Sequence, residues 1–85
     1  MSRYQLPIPN FTYNQQPVEA MLAYGFDHAA GYFYQVFVAD EVEPVESQDS
    51  LFDGLSRGPL LARLDALAVA LPDTHRSAIA LDLPF

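Results

Sequence analysis

Two histidines sit close to carboxylates in the chain, and an Asp–His pair is the arrangement that orients an imidazole for proton transfer. His28 directly follows Asp27, and His75 lies two residues beyond Asp73. Base catalysis of this kind also needs a nucleophile within reach. Ser47, Ser50, Ser56 and Ser77 stand in no recognisable nucleophile context. The two histidines therefore read as a turn residue and a helix-start residue, and no catalytic residue is assigned.

Oxygen ligands are plentiful between residues 40 and 53, where Asp40, Glu41, Glu43, Glu46, Asp49 and Asp53 fall together. Calcium takes such ligands. However, Asp49 and Asp53-Gly54 do not reproduce the D-x-D-x-D-G spacing of a calcium loop. Two distant histidines and no cysteine leave no zinc set. Paired carboxylates could hydrolyse a glycoside, but that chemistry needs a rigid first shell and one raised pKa, which a polar loop does not supply. Gly25, Gly31, Gly54 and Gly58 are scattered singly and form no phosphate cradle. The expectation is a non-enzymatic protein without metal or cofactor.

What the residue types favour is binding. The net charge is -7, lysine is absent, and the cations are Arg3, Arg57, Arg63 and Arg76. No cation occurs between Tyr4 and Ser56, while Glu19, Asp27 and the carboxylates of residues 40–53 all lie there. From Arg57 onward the arginines balance Asp65, Asp73 and Asp82. A charge of this size keeps a small domain soluble, and it can also form a negative face that steers a basic partner. Direct nucleic-acid binding and anionic membranes are disfavoured, because both need clustered Lys and Arg.

The candidate binding residues are Asp40, Glu41, Glu43, Glu46 and Asp49, with Tyr32 and Tyr34 as anchors from the aromatic-rich front of the chain. The inferred partner is a protein with a basic surface, including one that handles nucleic acid. In size and charge, though in no motif, the chain resembles the small acidic anti-restriction and anti-CRISPR proteins. That resemblance implies a nucleic-acid-mimicking inhibitor. The alternative is a small accessory subunit, or a homodimer, that makes contact through apolar sheet and helix surface.

These residues must be carried by few elements, since 85 residues make one small domain with a thin core. The hydrophobic share of 51% is too high for a disordered chain. The first ten residues lack an apolar signal core, and no apolar run reaches bilayer length, which points to the cytoplasm.

Asn10 to Asn14 alternates like a short edge strand, which Gln15, Gln16 and Pro17 then break. Residues 20–26 and 32–39 are strand-forming runs joined by Asp27-His28-Ala29-Ala30-Gly31, the pattern of an antiparallel hairpin. Residues 40–53 have loop composition, with Leu51, Phe52 and Leu55 tucking the end back as a helical turn. After Gly58-Pro59, the leucines at 60, 64, 67 and 71 mark one helix face that runs to Pro72. Pro72-Asp73-Thr74 starts a second helix, although Ile79 to Leu83 also alternates like a strand. The expected fold is α+β: a three-stranded antiparallel sheet, with its central hairpin at about 20–39, followed by two C-terminal helices packed on one face.

Overall fold

Asn14 and Gln15 both take left-handed backbone, with φ of 53° and 65°. Two such residues in succession make the tight turn whose twist matches a β-hairpin. The chain therefore does not break here. It reverses directly from β1 (Tyr4–Tyr13) into β2 (Gln16–Asp27). Pro17 is tolerated because β3 pairs with β2 only from Ala20 onward, so its missing N–H interrupts no ladder on that side. Pro7 and Pro9 lie on β1, an edge strand, as the lack of a donor requires. An irregularity between Ile8 and Phe11, with Asn10 at a φ of 55°, bends that edge further.

The central hairpin forms as its residues dictate. The Asp27 carboxylate accepts from the Ala29 N–H at 2.8 Å, and Gly31 closes the turn at a φ of 78°. β3 (Gly31–Val38) then runs back along β2. The structure adds a strand that composition hides. β4 (Glu46–Asp49) pairs antiparallel with β3, so the sheet has four strands in the order β1-β2-β3-β4 rather than three. Glu-Ser-Gln-Asp has low strand propensity, and pairing with an already formed β3 overrides it.

Three helices follow: α1 (Ser50–Asp53), α2 (Arg57–Ala66) and α3 (Asp73–Ala80). The computed structural model describes residues 2–83 and 85. Helix α2 stops short of Leu71, because Ala68 turns left-handed at a φ of 56°. That reversal brings Val69 and Leu71 against the core as irregular chain, so packing overrules helical spacing. Helix α3 confirms the helical reading of 74–80. Asp73 lies inside the helix, and Pro72 occupies the cap position.

The core lies between one sheet face and the helices. Ile8, Leu22, Tyr24, Tyr32, Tyr34 and Val36 meet Leu55, Leu60, Leu64, Leu67 and Ile79. The opposite sheet face carries Met21, Ala23, Gly25, Phe33, Gln35 and Phe37, and among the described residues no helix packs on it. The N-terminal segment crosses part of it. Arg3 donates to Gln35 Oε1 at 3.0 Å, and its guanidinium lies 5.9 Å from the centre of the Phe37 ring. Among the described residues, no helix is long and apolar enough to cross a membrane.

Candidate functional site

A left-handed turn at Asp40, with a φ of 70°, throws the chain off the end of β3. The Ala39 N–H donates to the Glu19 carbonyl at 3.2 Å, and the Glu41 N–H donates to the Val38 carbonyl at 3.3 Å. The chain returns when the Val45 N–H donates to the Val36 carbonyl at 2.8 Å. The loop is thus pinned at both ends, and Asp40, Glu41 and Glu43 lie exposed on it. Glu19, exposed on the neighbouring strand, joins them.

A second group sits at the far end of the sheet. Asp27 opens the β2–β3 turn, while Asp49 caps α1 and Asp53 is its last residue. Eight residues of β3 span roughly 26 Å, about three screening lengths at physiological salt. The two groups therefore act as separate negative patches and not as one series of charges.

Glu46 belongs to neither patch. Both its oxygens accept from Arg63 of α2, at 2.6 and 2.7 Å, and the Tyr34 hydroxyl donates to it at 2.5 Å. The Arg63 hydrogen bonds, aided by Tyr34, hold the Glu46 carboxyl below its ordinary range against the opposing effect of burial. The pair ties β4 to α2, so Glu46 serves as a structural bridge.

Because its folded pKa is lowered, Glu46 adds stability above the ordinary carboxylate range, and that stability is lost as pH falls through the folded value. Glu46→Gln is expected to cost about 1 kcal/mol at neutral pH, discounted for partial exposure. The difference from the unmodified chain should shrink as pH falls below the ordinary carboxylate range, as read by urea unfolding across that range.

Tyr32 and Tyr34 are not surface anchors. Both rings lie in the core, at 7% and 3% exposure, because the alternation of β3 turns them toward the helices. The Tyr32 hydroxyl donates to Asp82 at 2.5 Å. Burial, and then the carboxylate partner, pushes each of these tyrosines up to about 12. Burial, and then Tyr4, raises Tyr24 to about 12 as well. These hydroxyls remain neutral hydrogen-bonding groups throughout the physiological range.

Asp49 is half committed. One oxygen accepts from the Phe52 N–H at 2.6 Å and caps α1. Leu55 tucks into the core as expected, but Leu51 and Phe52 do not, with 62% and 83% of their surface exposed.

Sequence reasoning missed two further contacts. Tyr24 Oη lies 2.6 Å from Nδ1 of His75, beneath the Tyr4 ring. The Glu46–Arg63–Tyr34 bridge joins residues 12 and 17 positions apart. Neither has a local signal, since both arise from the docking of helices on the sheet. Among the described residues, no hydrogen bond joins Asp27 to His28 or Asp73 to His75, and no three His, Asp or Glu side chains converge as a metal site. No family model, curated protein or solved structure matches the chain.

Proposed function

We propose that this is a non-catalytic binding protein that engages a basic surface of a partner protein through Asp40, Glu41 and Glu43, with Glu19 beside them. The observation that carries the reading is their lack of partners. Ion pairs among the described residues join Arg63 to Glu46 and Arg76 to Asp65, leaving these four carboxylates exposed without a cation. A pinned loop presents them with little ordering cost, and like charges gathered on one end steer a cationic surface into contact. A protein that handles nucleic acid offers such a surface.

The test is a pulldown at low salt from the cells that make the protein, followed by direct binding with the purified partner. Combined Asp40→Asn, Glu41→Gln and Glu43→Gln changes are expected to weaken binding about tenfold, at a few tenths to one kcal/mol per exposed charge. Affinity should fall as salt rises. Affinity indifferent to both salt and the triple change would overturn the reading.

A second reading is supported by the helix-free sheet face bearing Met21, Phe33 and Phe37. An accessory module using that face would hold its partner, or a second copy, equally well at high salt.

A further inference from the structure

Arg3 just before β1, Asp27 at the end of β2 and Asp49 at the end of β4 all line one hollow of about 230 Å³. Phe33 and Gln35 line it too, which places it on the sheet face opposite the core. Charges of both signs thus face one space. Among the described residues the ion pairs join Arg63 to Glu46 and Arg76 to Asp65, so Arg3 and the two aspartates do not neutralise one another.

Each charged group is held from behind. Arg3 Nη1 donates to Gln35 Oε1 at 3.0 Å, and the guanidinium lies 5.9 Å from the centre of the Phe37 ring. Asp27 Oδ1 accepts from the Ala29 N–H at 2.8 Å, and Asp49 Oδ1 accepts from the Phe52 N–H at 2.6 Å. Among the described residues, the other guanidinium donors of Arg3 and the Oδ2 atoms of both aspartates have no protein partner. These groups are fixed in place yet retain hydrogen-bonding capacity, so a ligand binds them at little ordering cost.

The chemistry of the lining selects the occupant. A simple cation would be repelled by Arg3, and a simple anion by Asp27 and Asp49. A ligand carrying one charge of each sign satisfies both walls. Asp49 pairs with Phe33 in the ladder, so Gln35, which holds the guanidinium, lies diagonally across from it. Such diagonal positions are roughly 7–8 Å apart. An ammonium and a carboxylate on one carbon span that gap with a charge-assisted hydrogen bond of about 2.8 Å at each end. Phe33, half-buried between Gly25 and Asp49 in the sheet, offers its ring to an apolar side chain. The volume is below that of a drug-sized site and suits a single residue-sized molecule.

We infer that this hollow binds a free α-amino acid with an apolar side chain. Arg3 takes its carboxylate, Asp49 and Asp27 take its ammonium, and Phe33 takes its side chain. The site lies at the opposite end of the sheet from the loop at residues 40–43 and does not rest on the reading of that loop.

The probe is L-leucine, titrated into the isotope-labelled full chain and followed by amide NMR shifts. A Kd of about 1 mM is expected for so small a ligand at an open site. The amides of Phe33, Gln35, Ser47 and Gln48 should shift, and those of residues 40–43 should not. Leucinamide, which lacks the carboxylate, and N-acetyl-leucine, which lacks the ammonium, should each bind at least about tenfold more weakly.

Arg3→Gln should weaken leucine about tenfold and abolish the preference for leucine over leucinamide. Combined Asp27→Asn and Asp49→Asn changes keep a side-chain carbonyl for both backbone N–H groups, so the melting curve should hold while leucine weakens about tenfold. The Asp40→Asn, Glu41→Gln, Glu43→Gln chain should bind leucine as the unmodified chain does. Leucinamide or N-acetyl-leucine binding as tightly as leucine overturns the inference. So does loss of leucine binding in the loop variant, or no shift at about ten times the expected Kd.

Discussion

Replacing Leu60 with alanine is expected to lower the stability of the protein by about 3 kcal/mol. Leu60 is fully buried in the first turn of α2, in the cluster where Tyr34 and Val36 of β3 meet Leu64 and Ile79. Truncation removes apolar contact and leaves a cavity that the sheet, rigid with its ladder bonds, cannot collapse to fill. A domain of this size has a total stability on the order of 4–13 kcal/mol. The loss should therefore lower the melting temperature by roughly 12–24 °C, read by circular dichroism. The comparison is Leu51→Ala, an exposed leucine, which should change stability by no more than about 0.5 kcal/mol. Equal effects at the two positions would mean that α2 is not docked on the sheet as described.

The second large effect is expected at Gly25. A Cβ placed there would lie 2.1 Å from the Ser2 carbonyl oxygen, 2.8 Å from the Ser2 carbonyl carbon and 3.1 Å from the Phe33 ring. The first two are backbone atoms and cannot rotate away. Gly25→Ala must therefore either distort β2 or expel the N-terminal segment. Expulsion breaks the bonds from the Ser2 N–H to the Phe26 carbonyl, at 2.8 Å, and from the Phe26 N–H to Ser2 Oγ, at 3.0 Å. A cost of about 2 kcal/mol is expected in denaturant unfolding.

Deleting the first two residues supplies the decisive comparison. In that shortened chain the Gly25→Ala penalty should shrink to a few tenths of a kcal/mol or reverse, because alanine suits an ordinary strand position better than glycine. A penalty that stays the same would show that the crossing of Ser2 over Gly25 is not what requires glycine. The crossing also carries Arg3 over Phe37 and Gln35, so the same variant tests whether the N-terminal segment shields part of the open sheet face.

Patterns with a short period were legible in the residues alone. Alternation along β3 separated Tyr32, Tyr34, Val36 and Val38 from Phe33, Gln35 and Phe37, and the sheet keeps that division. Asp27 and Gly31 marked the central turn because each supplies a local device, a side-chain acceptor or a left-handed backbone. The Leu60 and Leu64 spacing placed α2, and Pro72-Asp73-Thr74 placed α3.

Lack of a strong local signal explains the differences. Asn14-Gln15 carries no glycine, so the local residues Gln15, Gln16 and Pro17 suggest a break where the chain reverses into β2. β4 is held by its neighbour rather than by propensity. Alternation can sort residues into faces but cannot say which face the helices will cover, so the buried fate of Tyr32 and Tyr34 was not readable.

By itself, then, the sequence determined the class of fold, the hairpin, the two longer helices and the excess of carboxylates over guanidinium groups in the front of the chain. Those depend on contacts between residues a few positions apart, and on composition, both of which survive in a linear string. Tertiary structure alone decided that Glu46 would be spent on Arg63 and Tyr34, that the remaining front carboxylates would divide between opposite ends of the sheet, and that Tyr24 would meet His75. Each of those outcomes pairs groups far apart in the chain, and their meeting is set by how the helices dock on the sheet, a long-range choice for which no local spacing carries a record.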